Sequence, residues 1–380
     1  MRTSLLGATI LLAGLSPAFA QEAAPARDTS AQCSTVTTYG AIQPAPAPAA
    51  TPVAGEADAG RGAGGRGTGR GAGRGAGRGG RAAAEPVVIS IPDAPLLPFE
   101  PVPTPPPPVG TVFGGIASVD VMANGNVLVF QRSPQNTLME YDSEGRLVRT
   151  FDNNIAARPH GLKIDRQGNI WITDGVCNTV MKLNPAGAVL MTLGTKGKAG
   201  TWDEAAGAHL FDQPNDIAFG PNDDFWVTTS HGNAPDPRVV HFDKNGKFIN
   251  GWSMKHEDGS SANIHSLVVR RNGELYISDR ETHRIMVMNQ QGKLLRVIQM
   301  KNRVGGLVID KAGNLWMSAG EDGMVMRLDW DGKVLGWMGK LGTGPYDYTE
   351  AHYMAISPDM KTIYVADSLA NRFIKYRRTN

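Results

Sequence analysis

His160, His265 and His352 stand at one register of an internal repeat, and a neutral imidazole nitrogen is among the commonest ligands of zinc. They open the segments HGLKIDRQGNIWITDG, HSLVVRRNGELYISDR and HYMAISPDMKTIYVADS, which are the second, fourth and sixth of six similar units. The odd units begin instead on Ala117, Asn215 and Gly305, in ASVDVMANGNVLVFQR, NDIAFGPNDDFWVTTS and GGLVIDKAGNLWMSAG. On a closed ring of six, alternate units lie about 120° apart around the axis. Three imidazoles so placed converge on one point, and three nitrogen ligands with an open fourth position form a metal centre able to activate a substrate oxygen. A single histidine at a strand start is most often structural, but three at one register are not independent. His209, His241, His256 and His283 fall off the register and read as surface or loop residues.

A second set lies one strand further on. The residue ending the second strand is Arg132 in the first unit and Arg280 in the fourth, where the others have Gly175, Ser230, Gly320 and Ser368. Both arginines are expected at the same end of the ring, near its mouth, where a guanidinium holds a carboxylate bidentately. The competing expectation is that they pair with nearby carboxylates such as Asp279.

These side chains need elements to hold them. Each unit reads as an apolar strand, a polar turn and a second strand, followed by a third and usually a fourth, as in TVMKLNPAGAVLMTLG and RIMVMNQQGKLLRVIQ. Gly-Asn, Asn-Gly and Gln-Gly pairs between apolar runs supply the tight hairpin turns. Six four-stranded meanders at a period of roughly 45 residues predict an all-β fold, a six-bladed β-propeller over residues 110–380. The sixth unit has three strands before Asn380, so an N-terminal strand is expected to complete it. Val87 to Ile91 (VVISI) is the apolar run available, and it is expected to pair near Arg372 to Tyr376.

Upstream, residues 1–20 read as a signal peptide: Arg2, an apolar run from Leu5 to Leu15, and Ala18-Phe19-Ala20 as cleavage site. Export to a periplasmic or extracellular location follows, and no later stretch is apolar enough for a membrane span. Residues 21–109 are rich in Gly, Arg and Pro and are expected to be a disordered leader and stiff spacer. Six arginines between Gly60 and Arg81 outweigh the net charge of +2, so the rest of the chain is mildly acidic and the basic balance is no sign of nucleic-acid binding by the propeller. The two cysteines, Cys33 and Cys177, are too few for a disulfide scaffold and are expected to be unpaired or incidentally oxidised. A monomer without nucleic-acid partners is expected.

The stretches RPHGLKIDRQGNIWITDG, FDQPNDIAFGPNDDFWV, IHSLVVRRNGELYISDRETHRI and EAHYMAISPDMKTIYVADSLANRFIKY resemble those of peptidyl-α-hydroxyglycine α-amidating lyases and their bacterial relatives, within the wider NHL-repeat propellers. The resemblance spans residues 110–380. It implies zinc held by His160, His265 and His352, and cleavage of a carbinolamide at a peptide C-terminus to an amide and glyoxylate. It further implies Arg132 near the reacting hydroxyl and Arg280 on the substrate carboxylate. Three positions depart from the family pattern. His231 stands where the family has a catalytic tyrosine, and as a base, a metal ligand or a space-filler it leaves three readings open. Tyr353 replaces the aspartate of a structural calcium site, to which the backbone carbonyl of Leu162 remains a candidate contributor. Glu350 replaces a methionine and is a candidate fourth zinc ligand, which would close the site. The alternative to a lyase is a non-catalytic NHL propeller binding a protein, peptide or glycan, its metal structural or absent. A sugar-lactone hydrolase fits less well, because such centres favour carboxylates over imidazoles.

Overall fold

The computed structural model describes residues 26–33, 43–44, 89–151, 155–229, 231 and 235–379. The proposed signal peptide and the Gly-Arg segment lie outside them. Six antiparallel sheets follow one another in chain order. Their innermost strands are Gly115–Val121, Pro159–Ile164, Pro214–Phe219, Ile264–Val269, Leu307–Ile309 and Ala351–Ile356. Each packs on the next and the last packs on the first, so the ring closes as a six-bladed propeller.

Alternation along the strands explains where the core lies. Six hydrophobic clusters form, each spanning one seam between neighbouring blades. Leu128 and Phe130 of blade one thus meet Leu162, Ile170 and Ile172 of blade two. Fully burying one such side chain is worth about 1.5–3 kcal/mol, so each seam is held by several.

The turn between the first two strands has its own chemistry. In blade two, Asp165 accepts from Gln167 N and Asn169 N and from the indole of Trp171 at 3.0 Å, around Gly168 at φ +81°. Blade five repeats this with Asp310, Asn314 and Trp316 around Gly313 at φ +86°. An L side chain at either glycine would be strained.

The N-terminal side behaves differently from expectation in three respects. Blade six is completed by Phe99–Val102, paired with Arg372–Arg378, and not by residues 87–91. As the outermost strand it tolerates Pro101, which has no N–H to donate. Of the expected strand, Val87 and Val88 lie outside the described residues. Ile89 packs beside blade five, where Asn302 donates to Ser90 O at 2.8 Å. The Pro-rich spacer is therefore a packed strap: Leu97 N donates to Trp337 O at 2.8 Å and the Trp337 indole donates to Ala94 O at 3.0 Å. Finally, Cys33 and Cys177 form a disulfide, which corrects the expectation of unpaired thiols. A short helix, Ser30–Cys33, docks on the loop after the second strand of blade two, with Arg27–Asp28 paired to Lys198–Ala199. Among the described residues, no helix is long and apolar enough to cross a membrane.

Candidate metal centre

The inner strands of blades two, four and six bring His160, His265 and His352 together at the propeller axis, each at most 2% exposed. Their ring centroids lie 4.8 to 5.1 Å apart. His231, from the loop after the second strand of blade three, joins them at 4.5 Å from His160. One nitrogen from each of the four lies within 4.8 Å of the others, the only metal-competent group of three or more among the described residues. Glu350 is not part of it.

Backbone carbonyls set the imidazole tautomers. His160 Nδ1 donates to Asn215 O at 2.8 Å, and His352 Nδ1 donates to Ala117 O at 2.6 Å. Because a carbonyl only accepts, both Nδ1 atoms carry the proton and both Nε2 atoms present lone pairs. At His265 the equivalent backbone is Gly305, which raises the ring's proton affinity but falls short of hydrogen-bond geometry. The acceptors are thus the residues that open the odd units, one blade on from each histidine. Gly161 permits this closeness, since a Cβ there would stand 2.6 Å from Asn215 O.

These Nε2 atoms have no partner outside the cluster. His160 Nε2 is buried without a partner, and His352 Nε2 lies 3.2 Å from the Nε2 of His265, whose tautomer no carbonyl fixes. Burial, then neighbouring imidazole and arginine charges, hold all three well below the usual histidine range, so all three are neutral at neutral pH. Converging neutral lone pairs in a buried site repel unless a cation lies between them. The donor set therefore fits a metal ion such as zinc.

His231 is held differently. Arg158 Nη2 lies 3.0 Å from His231 Nδ1, and a guanidinium only donates. Nδ1 is then the acceptor, and the neutral ring carries its proton on Nε2. Burial, then the Arg158 charge, lower its pKa to about 2. In this arrangement His231 offers the site an N–H, with its free lone pair already engaged. Arg158 stands in the phrase RPHGL, two residues before His160, but serves His231 of the next blade.

Arg132 and Arg280 emerge at the same mouth, as expected from their register. Arg132 Nε donates to Pro159 O at 3.3 Å, and its Nη2 is buried without a partner. Arg280 instead contacts Glu281 at 3.1 Å and Glu350 at 3.5 Å. Its own neighbour Asp279 is taken by His256 at 2.6 Å. Glu350 is also bonded to Ser368 Oγ. His241, expected at the surface, is buried in blade three, stacked on Trp226 and bonded to Asp224.

On the inner side of the histidines the channel carries a different charge set. Tyr353 OH donates to His265 O at 2.5 Å, and Lys163 Nζ lies 3.6 Å from Asp216 and over the Tyr353 ring. Burial pushes the Asp120 carboxyl up to about 6, partly offset by Lys163. Leu162, on the same strand as His160, is buried against Ile172 in blade two. The positive charge facing these two aspartates is the ammonium of Lys163.

Fold and centre together define a six-bladed propeller with a buried histidine cluster at its axis. The chain resembles peptidyl-α-hydroxyglycine α-amidating lyases and NHL-repeat proteins. It is 27% identical over 268 residues to peptidyl-glycine alpha-amidating monooxygenase A of Xenopus laevis, covering 64% of this chain and 27% of that protein. It is 26% identical over 200 residues to peptidyl-alpha-hydroxyglycine alpha-amidating lyase 2 of Drosophila melanogaster, covering 46% of this chain and 47% of that one. The chain thus spans about a quarter to a half of the length of these relatives. Among solved structures, a streptogramin B lyase superposes with a TM-score of 0.51 at 15% identity, covering 71% of this chain and 96% of that one, a likeness of fold alone. No family model matches the chain.

Proposed function

We propose that the protein is an exported zinc-dependent lyase that cleaves the C–N bond of a carbinolamide, releasing an amide and glyoxylate. The observation that carries this reading is the convergence of His160, His265 and His352 on one point, with the Nε2 lone pairs of His160 and His352 aimed there by backbone carbonyls. The similarity to proteins named as amidating lyases supports the reaction type. Zinc, when bound, supplies a Lewis acid that lowers the pKa of a substrate hydroxyl. His160, His265 and His352 would hold it, and the Nδ1 bonds of His160 and His352 keep those rings oriented. His231 contributes an Nε2–H donor to the substrate, oriented by Arg158. Arg132 faces the same space with an unpaired Nη2 and favours developing negative charge there. As the C–N bond breaks, the hydroxyl proton is given up and the departing amide nitrogen gains one, so no water is consumed. The disulfide accords with an oxidising compartment, and hence with export.

The test is incubation of the zinc-loaded protein with a peptidyl-α-hydroxyglycine and measurement of glyoxylate. Release at a rate above the uncatalysed one is expected; no turnover with a full equivalent of zinc would refute the lyase reading. A closed, non-catalytic centre is the competing reading, favoured by the presence of a fourth imidazole. His231→Ala separates the two: metal content is unchanged if the site is open, and falls if His231 is a ligand.

A further inference from the structure

The mouth of the histidine centre holds three arginines, and they are not equivalent. Arg280 meets two carboxylates, Glu281 and Glu350, so its charge is answered within the fold. Arg132 and Arg158 form no ion pair among the described residues, although both are largely withdrawn from solvent. Arg132 spends one N–H on Pro159 O and leaves Nη2 buried and unbonded. Arg158 spends its side-chain donors on neutral acceptors, Gln213 Oε1 at 3.3 Å and His231 Nδ1 at 3.0 Å. The nearest carboxylate acting on it, Asp174, is committed to the backbone N–H groups of Ala157, Arg158, Val176 and Cys177. Besides burial, the Arg158 charge lowers the proton affinity of Arg132, and both arginines lower that of His231.

Two guanidinium groups partly withdrawn from solvent, neither in an ion pair, and brought together where Arg132 bonds the carbonyl of Pro159, the residue after Arg158, are costly unless an anion joins them. The geometry points to Arg132 and Arg158 as the subsite for the anionic end of the substrate, with Glu350 having taken Arg280 out of that role. The ligand class is a small carboxylate whose neighbouring oxygen reaches the histidines. This departs from the role that resemblance assigns to Arg280, and the departure is caused by one residue, Glu350, that stands where the relatives have methionine.

The subsite deepens the lyase reading and rests on it for the substrate's identity, but binding can be measured without turnover. Glyoxylate is titrated calorimetrically into the wild-type protein and variants matched for metal content. Arg132→Gln and Arg158→Gln are each expected to weaken it about tenfold, the loss typical of a charge-assisted hydrogen bond, and Arg280→Gln by less than about threefold. Glu350→Gln, which frees Arg280, is expected to tighten it. Arg158→Gln is also made in a His231→Ala background: no further weakening there would mean that Arg158 acts only through His231 and would overturn its direct contact. The assignment is also overturned if Arg280→Gln is the most damaging change, or if the wild type does not bind glyoxylate. Binding with this pattern but without turnover of a peptidyl-α-hydroxyglycine would sink the lyase and leave the subsite standing.

Discussion

Replacing both Cys33 and Cys177 by serine tests how the leader is tied to the propeller. The bridge joins residues 144 apart in sequence and so encloses blade one, the strap and the closing strand of blade six. For a loop of that length the chain-entropy relation gives about 5 kcal/mol of stabilisation as a ceiling, and losses on removing a native bridge run from about 2 to 5 kcal/mol. For a domain of this size each kcal/mol moves the melting temperature by about 2 °C, so a fall of about 4 to 10 °C is expected. Both sulfurs are buried against Ala157, next to Arg158, and Cys177 N shares Asp174 with the backbone of those two residues. The double variant is therefore expected to loosen the Arg158 loop as well, seen as faster amide exchange at residues 157–158. Scanning calorimetry of the oxidised wild type and the double variant reads the first effect. A melting temperature unchanged within about 1 °C, or two titratable thiols in unreduced wild-type protein, would refute the reasoning.

Three further outcomes are expected. His265→Ala should bind less than half the zinc of the wild type by elemental analysis, because two nitrogens remain where three converge; equal zinc in both would remove the basis of the metal centre. Asp120 has a carboxyl held near 6 against an ordinary aspartate value of 3.8, so folding takes up a proton between these values. Its stabilising contribution is thus full below about pH 4 and is lost as pH rises through about 6. Urea midpoints at pH 4.5 and 7 should differ by less in Asp120→Asn than in wild type, and an identical pH slope in both would contradict this. Deleting residues up to 104 removes Phe99–Val102 and bares the Arg372–Arg378 edge, an open template for pairing. Size-exclusion chromatography should then show association that a deletion ending before residue 26 does not cause.

Much of this architecture is legible in the chain because a propeller repeats itself. The alternation of apolar residues is reinforced by six copies of the unit, and the Gly-Asn turns and the register of His160, His265 and His352 by three each. What is harder to read is whatever happens once. The closing strand is FEPV, poor in β-branched residues and interrupted by Pro101, and it is held by its edge position more than by its propensity. The Cys33–Cys177 bridge depends on where a leader docks, which the spacing of two cysteines does not encode. His241 reads as a surface histidine because its stacking on Trp226 is a contact between neighbouring strands of one blade and leaves no mark on the spacing. Arg158 is visible in RPHGL, yet its partnership with His231 crosses from blade two to blade three. Glu350 was legible as a departure, but its choice of Arg280 over the metal depends on Ser368 and on the depth of the channel.

The hydrogen bonds of the histidines have a mechanical meaning as well. His160 reaches from blade two to Asn215 of blade three, and His352 reaches from blade six to Ala117 of blade one. The second of these spans the seam where the ring must be shut on itself, between its last blade and its first. His160 and His352 are thus each a rivet, gripping the adjoining blade with Nδ1 and presenting Nε2 to the axis. A ring fastened in this way transmits any change at its hub outward to its seams, and parting the last blade from the first would shift an imidazole of the hub in the same movement.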